Sequence, residues 1–116
     1  MQKVPVAALI FILVVIAGIF CTANLGTRAL DDYDEAGYAL IAGEMLESGH
    51  FLTPTYLQKL WFEKPPLHIW LMALSAKIFG TNEFAMRLPS SFFGILSVIL
   101  IFLIVLELTD SKETAF

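Results

Sequence analysis

With 116 residues and 12.9 kDa the chain is at most one domain by length. A hydrophobic fraction of 58% and a charged fraction of 16%, against roughly 25% charged in soluble domains, exclude an ordinary soluble globule. A formal net charge of −4 and a pI near 4.9 exclude the basic footprint of a nucleic-acid binder, and a single cysteine, Cys21, excludes a disulfide or a thiolate metal cluster made by this chain alone.

The first element is an apolar run. Val4 to Thr27 carries no charge, and Val4 to Cys21 is almost continuously Val, Ile, Leu, Phe and Ala. Eighteen helical residues rise roughly 27 Å, close to the ~30 Å hydrocarbon core. Lys3 would suit the basic start of a signal peptide, but the run exceeds the usual h-region of about 7–15 residues. Bulky Phe20 before Cys21 fits a lipoprotein site poorly. An uncleaved transmembrane helix over about 4–23 is expected.

The loop 24–65 is long enough to carry structure of its own. Asp32 with Glu35 three residues on resembles a capping box. Tyr38, Ile41, Ala42, Met45 and Leu46 then share one helical face, with Gly49 placed to end the helix. The spacing predicts an amphipathic helix at the membrane surface. His50 to Lys59, with Thr53-Pro54-Thr55-Tyr56, reads as extended or turn-like, and Leu60, Trp61 and Phe62 would dip toward the interface.

Pro65 to Phe79 is apolar apart from His68, Ser75 and Lys77, and about fifteen residues give only ~22 Å of helix. It is expected to be a second span over about 66–80, with Lys77 snorkelling, or else a re-entrant segment. Leu88 to Leu106 is charge-free, with Pro89 near its start, and predicts a span over about 88–107. Ala17, Gly18, Gly94 and Ser97 offer small contact positions between helices. The expected fold is thus all-α and integral to the membrane, with about three transmembrane helices and a surface helix in the first outer loop. Lys3, Lys77 and Arg87 would mark the cytoplasmic side, with the amino terminus inside. Loop 24–65, with its seven acids against Arg28, Lys59 and Lys64, would lie outside, and so would the tail from Glu107 to Phe116.

Two places can carry chemistry. In the cluster Asp31, Asp32, Asp34, Glu35, the acids either cap a helix and face solvent, or one turns inward as a general base. In Phe62-Glu63-Lys64-Pro65-Pro66-Leu67, a carboxylate and an ammonium stand on a stiffened backbone at the head of an apolar segment. Lys64 either snorkels or meets a lipid-linked phosphate, and Glu63 is either solvated or a ligand for a divalent metal. His50 and His68 are lone imidazoles. No phosphate-cradling glycine loop, paired-His metal motif or Gly-x-Ser-x-Gly occurs.

Several of these motifs occur together in a known order: Asp34-Glu35-Ala36-Gly37-Tyr38-Ala39, Glu44-Met45-Leu46-Glu47-Ser48-Gly49, Phe62-Glu63-Lys64-Pro65-Pro66-Leu67, Trp70, Phe79-Gly80, Glu83-Phe84 and Arg87-Leu88-Pro89-Ser90. Their order and spacing resemble the amino-terminal part of the bacterial membrane glycosyltransferases related to protein O-mannosyltransferases and to the aminoarabinose transferase of lipid A. The resemblance implies a polytopic GT-C enzyme of the bacterial inner membrane, with its pocket on the outer face. It implies a polyprenyl-phosphate-linked sugar as donor and a lipid or protein acceptor. By the same resemblance Asp34 matches the essential acid of the first outer loop; Glu35 beside it is a further substrate-binding candidate. Glu63 matches a carboxylate that helps hold a divalent metal, and Lys64 matches the lysine near the lipid phosphate.

There are two departures. Gly37 stands where the aminoarabinose transferase has an arginine, so the acceptor need not be a lipid A phosphate. Members of the family are also several-fold longer, so the chain is expected to be an amino-terminal fragment that is inactive alone. A non-catalytic three-span membrane protein, as partner subunit or remnant, is the other reading.

Overall fold

A computed structural model describes residues 5–31 and 33–109. In chain order these form α1 (Val6–Thr22), α2 (Asp34–Ser48), β1 (Thr55–Tyr56), β2 (Lys59–Leu60), α3 (Leu67–Phe79) and α4 (Glu83–Thr109). They group into two units, one containing α1 and the part of α4 from Ser90 onward, the other comprising Asn24–Pro89.

In the first unit, α1 turns large apolar side chains outward, Phe11, Ile19 and Phe20 being 63–82% exposed. On α4, Ile101 and Ile104 do the same, while Phe102 is buried. A helix apolar on every side requires an apolar surrounding. At 27 residues α4 is long enough to cross a bilayer; α1, with 17 described helical residues, is a shorter apolar helix. The Ser91 hydroxyl donates to the Cys21 carbonyl at 2.7 Å, and a Cβ at Gly94 would stand 3.2 Å from the Cys21 Sγ. Gly94 is therefore a contact position, whereas Gly18 has open space around it. The hydroxyls of Thr22 and Ser97 turn back onto carbonyls four residues earlier, as polar groups in an apolar helix must.

The second unit is built on α2 packed against α3. Ile41, Ala42 and Met45 face Ile69, Met72, Ala73, Ala76 and Met86 in one buried cluster, with Tyr38 and Leu46 half-buried beside it. The face read from the α2 sequence is the face that packs. Ala42 and Ala73 are fully buried, and their small side chains permit close approach. Gly49 ends α2 at φ +72, its N–H bonding to the Met45 carbonyl at 3.0 Å. The capping box differs from expectation. Asp32 lies outside the described residues, and the Glu35 carboxylate instead accepts the Asp31 N–H at 3.0 Å.

Three further expectations need correction. Segment 55–60 is an antiparallel hairpin, with Thr55 opposite Leu60 and Tyr56 opposite Lys59, so the described fold is mainly rather than wholly helical. Its two loop residues, Leu57 and Gln58, have φ of +52 and +62, the pattern of a type I′ turn, at a cost of about 1–2 kcal/mol each for L-residues. Next, α4 begins at Glu83 rather than near Leu88. Asn82 caps it by accepting the Ala85 N–H at 2.9 Å, which leaves Pro89 inside the helix.

The third concerns the length and packing of α3. It has 13 residues, about 20 Å, and buries Ile69, Met72, Ala73 and Ala76 against its own unit. Arg87, expected across the membrane from loop 24–65, donates to the carbonyls of Leu25, Arg28 and Ala29 in that loop at 2.7–3.0 Å. Of the three residues expected to dip toward the interface, Trp61 packs against the α2–α3 cluster, while Leu60 and Phe62 are exposed. Lys3 and residues 110–116, which entered the expected topology, lie outside the described residues.

Candidate functional site

Asp34 opens α2, and Tyr38 follows four residues later, so both side chains leave the same helical face one turn apart. The chain then runs through the hairpin and returns at Glu63-Lys64, just before Pro65-Pro66 and α3. There the Lys64 ammonium donates a hydrogen bond to the Tyr38 hydroxyl and stands 3.9 Å from Asp34 Oδ1. Residues 26 apart in sequence thus meet at one point.

Asp34, Tyr38, Glu63 and Lys64 line an open cavity of about 380 Å³. Tyr33, Tyr56 and Trp61 supply its aromatic wall, and Gly37 leaves room beside Tyr56, the nearest atom to an added Cβ being 3.8 Å away. The Tyr38 ring meets Trp61 edge-on at 6.1 Å and His68 at 6.2 Å, which fixes its hydroxyl toward Lys64. The Tyr38 hydrogen bond, and then the charge of Asp34, raise the Lys64 pKa above its ordinary value. Lys64 therefore remains an ammonium at neutral pH, a point charge exposed to the cavity.

Glu35 does not line this cavity. Its carboxylate takes Arg87 Nε at 3.1 Å on one oxygen and Arg87 Nη2 at 2.8 Å on the other. This two-pronged pair, reinforced by the Asp31 N–H, holds the Glu35 carboxyl below its ordinary pKa. Because Arg87 also gathers the carbonyls of residues 25, 28 and 29, a single guanidinium ties the incoming loop to the start of α2, beside Asp34.

Glu63, expected to hold a divalent metal, lines the cavity beside Asp34 and Lys64. Among the described residues no three of His, Cys, Asp and Glu come together as a metal cluster. Glu63 offers one carboxylate, and the neighbouring Asp34 is faced by a lysine, so these residues do not by themselves make a divalent site. The His50 backbone N–H bonds to Ser48 Oγ, and the His68 ring rests against Tyr38.

Sequence reasoning singled out Asp34, Glu63 and Lys64, which the fold brings together, and Glu35, which it commits to Arg87. It passed over Tyr38, Tyr56 and Trp61 as site residues. For Tyr38 a signal existed, since four residues separate it from Asp34 on a predicted helix. The Arg87 motif was noted, but its pairing with Glu35, 52 residues away, had no signal in the sequence.

Comparison with known proteins follows the same lines. The family model for dolichyl-phosphate-mannose-protein mannosyltransferase matches residues 63–116. An uncharacterized protein of Aquifex aeolicus is 40% identical over 92 residues, covering 79% of this chain and 18% of its own. The undecaprenyl phosphate-alpha-4-amino-4-deoxy-L-arabinose arabinosyl transferase of Pseudomonas savastanoi is 38% identical over 92 residues, covering 79% of this chain and 17% of its own. Crystal structures of ArnT from Cupriavidus metallidurans, apo and bound to undecaprenyl phosphate, both match with a TM-score of 0.77. They are 30% and 29% identical and cover 87% and 89% of this chain but 19% of theirs. The chain therefore spans under a fifth of the length of these relatives. Sequence and fold together relate it to the polytopic membrane glycosyltransferases of the GT-C type, aminoarabinose transferases among them, as the motifs between Asp34 and Ser90 implied.

Proposed function

We propose that the protein transfers a pentose or hexose from a polyprenyl-phosphate donor to a cell-envelope acceptor such as lipid A or a protein, and that these residues meet the donor phosphate. The observation that carries this reading is the convergence of Lys64 on Asp34 and Tyr38 in one open cavity. The undecaprenyl phosphate bound to the similar ArnT chain supports the choice of donor.

In the reaction, an acceptor hydroxyl attacks the anomeric carbon and the bond from that carbon to the phosphate oxygen breaks. The electron pair leaves with the phosphate, whose developing charge the Lys64 ammonium faces. Asp34, at the helix start, takes the hydroxyl proton. Glu63 offers one carboxylate to a divalent ion, which would need further ligands elsewhere. Glu35 serves through position, its pairing with Arg87 holding the first turn of α2 that carries Asp34.

In this reading α1 and α4 cross the bacterial inner membrane with the amino terminus in the cytoplasm. The intervening segment, with α2 and α3 as a surface pair, lies on the outer face. Support comes from the charge-free runs of both helices and from the bonds of Arg87 to the loop that follows α1.

The test is sugar transfer from a polyprenyl-phosphate donor in membranes carrying the protein. Asp34→Asn is expected to lower the rate by roughly 10²-fold or more, as loss of a general base does. Lys64→Ala is expected to lower it comparably through lost stabilisation of the leaving phosphate. Wild-type rates in either variant would overturn the proposal.

A further inference from the structure

The hairpin Thr55–Leu60 is poorly equipped to hold its own shape. Its strands are two residues each, and both loop residues lie in the left-handed region where a type I′ turn favours Asn-Gly. What meets it is Glu44 of α2. The Glu44 carboxylate accepts the Thr55 hydroxyl on one side of the turn and the Gln58 N–H, 3.3 Å from each oxygen, at the turn itself. Between those two anchors Tyr56 enters the cavity wall. The Trp61 N–H extends the ladder to the Pro54 carbonyl at 2.9 Å, its ring packs against Tyr38, and three residues later the chain reaches Lys64. Glu44 does not line that cavity, so any influence on it passes through the hairpin.

We propose that Glu44 is a positioning residue that latches the hairpin onto α2 and thereby sets Tyr56, Trp61 and Lys64 around the cavity. This rests on the reading of the cavity as the donor-phosphate site. A carboxylate is suited to the task because it accepts from a hydroxyl and a backbone amide at once, and strain concentrated at one turn is a common mark of a functional wall.

The chain's two tryptophans, Trp61 and Trp70, make the latch observable. In the full chain, labelled with fluorotryptophan and placed in lipid nanodiscs, Glu44→Ala is expected to shift and broaden the Trp61 fluorine resonance. The Trp70 signal, held by its bond to the Phe51 carbonyl, should stay in place. Affinity for undecaprenyl phosphate should fall roughly five- to tenfold, as expected when bonds to a charged group are lost. Adding Leu57→Asn and Gln58→Gly to Glu44→Ala gives the turn residues that its φ values favour, and should restore both the Trp61 resonance and the affinity. Damage to α2 alone would not be repaired by a change in the turn.

An unmoved Trp61 resonance in Glu44→Ala, or no recovery with the new turn, would overturn the proposal. If the wild-type chain binds no undecaprenyl phosphate, the donor-site reading fails, and the Trp61 resonance still decides the latch.

Discussion

Tyr38 accepts a hydrogen bond from Lys64 and stands one helical turn from Asp34. Tyr38→Phe keeps the ring packing against Trp61 and removes the hydroxyl, so the Lys64 pKa should fall toward its ordinary value. A pH titration of labelled Lys64 in the two proteins would measure this. Glu35 gives a second pH effect. Its carboxyl is held below the ordinary value of 4.5 by Arg87 and the Asp31 N–H, so the folded state binds this proton less readily than the unfolded one. The stability it contributes is fully present above about pH 4.5 and is lost as pH falls through the lowered value. Thermal unfolding should therefore show Glu35→Gln below wild type at pH 6 by roughly 5 °C, with the gap closing toward pH 3. A gap independent of pH would contradict the ion-pair account.

At the scale of elements, the packing of α2 on α3 holds the cavity wall in place. Ile41 is 1% exposed, and Ile41→Ala should cost about 2–5 kcal/mol in denaturant unfolding of the unit. Ala73→Leu should cost about 1–3 kcal/mol, because a fully buried alanine at the helix contact leaves no room for the added carbons.

Much of this element structure was legible in the sequence. The 3.6-residue spacing of Ile41, Ala42 and Met45 marks the packed face, and Gly49 marks the helix end. The extended and turn-like character of 50–59 was legible, but not the pairing of its strands, because Leu57-Gln58 carries no turn signal and is held instead by a carboxylate 14 residues earlier. Nor was the packing of α3 on α2, since an apolar stretch of this length has the same composition whether it faces lipid or a protein partner.

For the whole molecule, the proposed topology puts loop 24–65, α3 and Arg87 on one side of the membrane, and this can be tested directly. Single cysteines at Leu52 and Thr81, in a Cys21→Ser background, should both react with a membrane-impermeant maleimide from the same face. Labelling from opposite faces would restore α3 as a span. The charge pattern around Arg87 is itself instructive. A positive residue between two apolar segments reads as cytoplasmic, yet here the guanidinium is consumed by Glu35 and three carbonyls. Among the site residues, Asp34, Glu63 and Lys64 were legible as a motif set, but their meeting depends on the fold of the 28 residues between Asp34 and Glu63.

The most direct test of the central claim is the affinity of the reconstituted chain for undecaprenyl phosphate, wild type against Lys64→Ala and Asp34→Asn. The account predicts saturable binding that falls at least tenfold in Lys64→Ala, the loss expected when a charge-assisted contact to phosphate is removed, and that persists in Asp34→Asn. Equal binding by wild type and Lys64→Ala would contradict it.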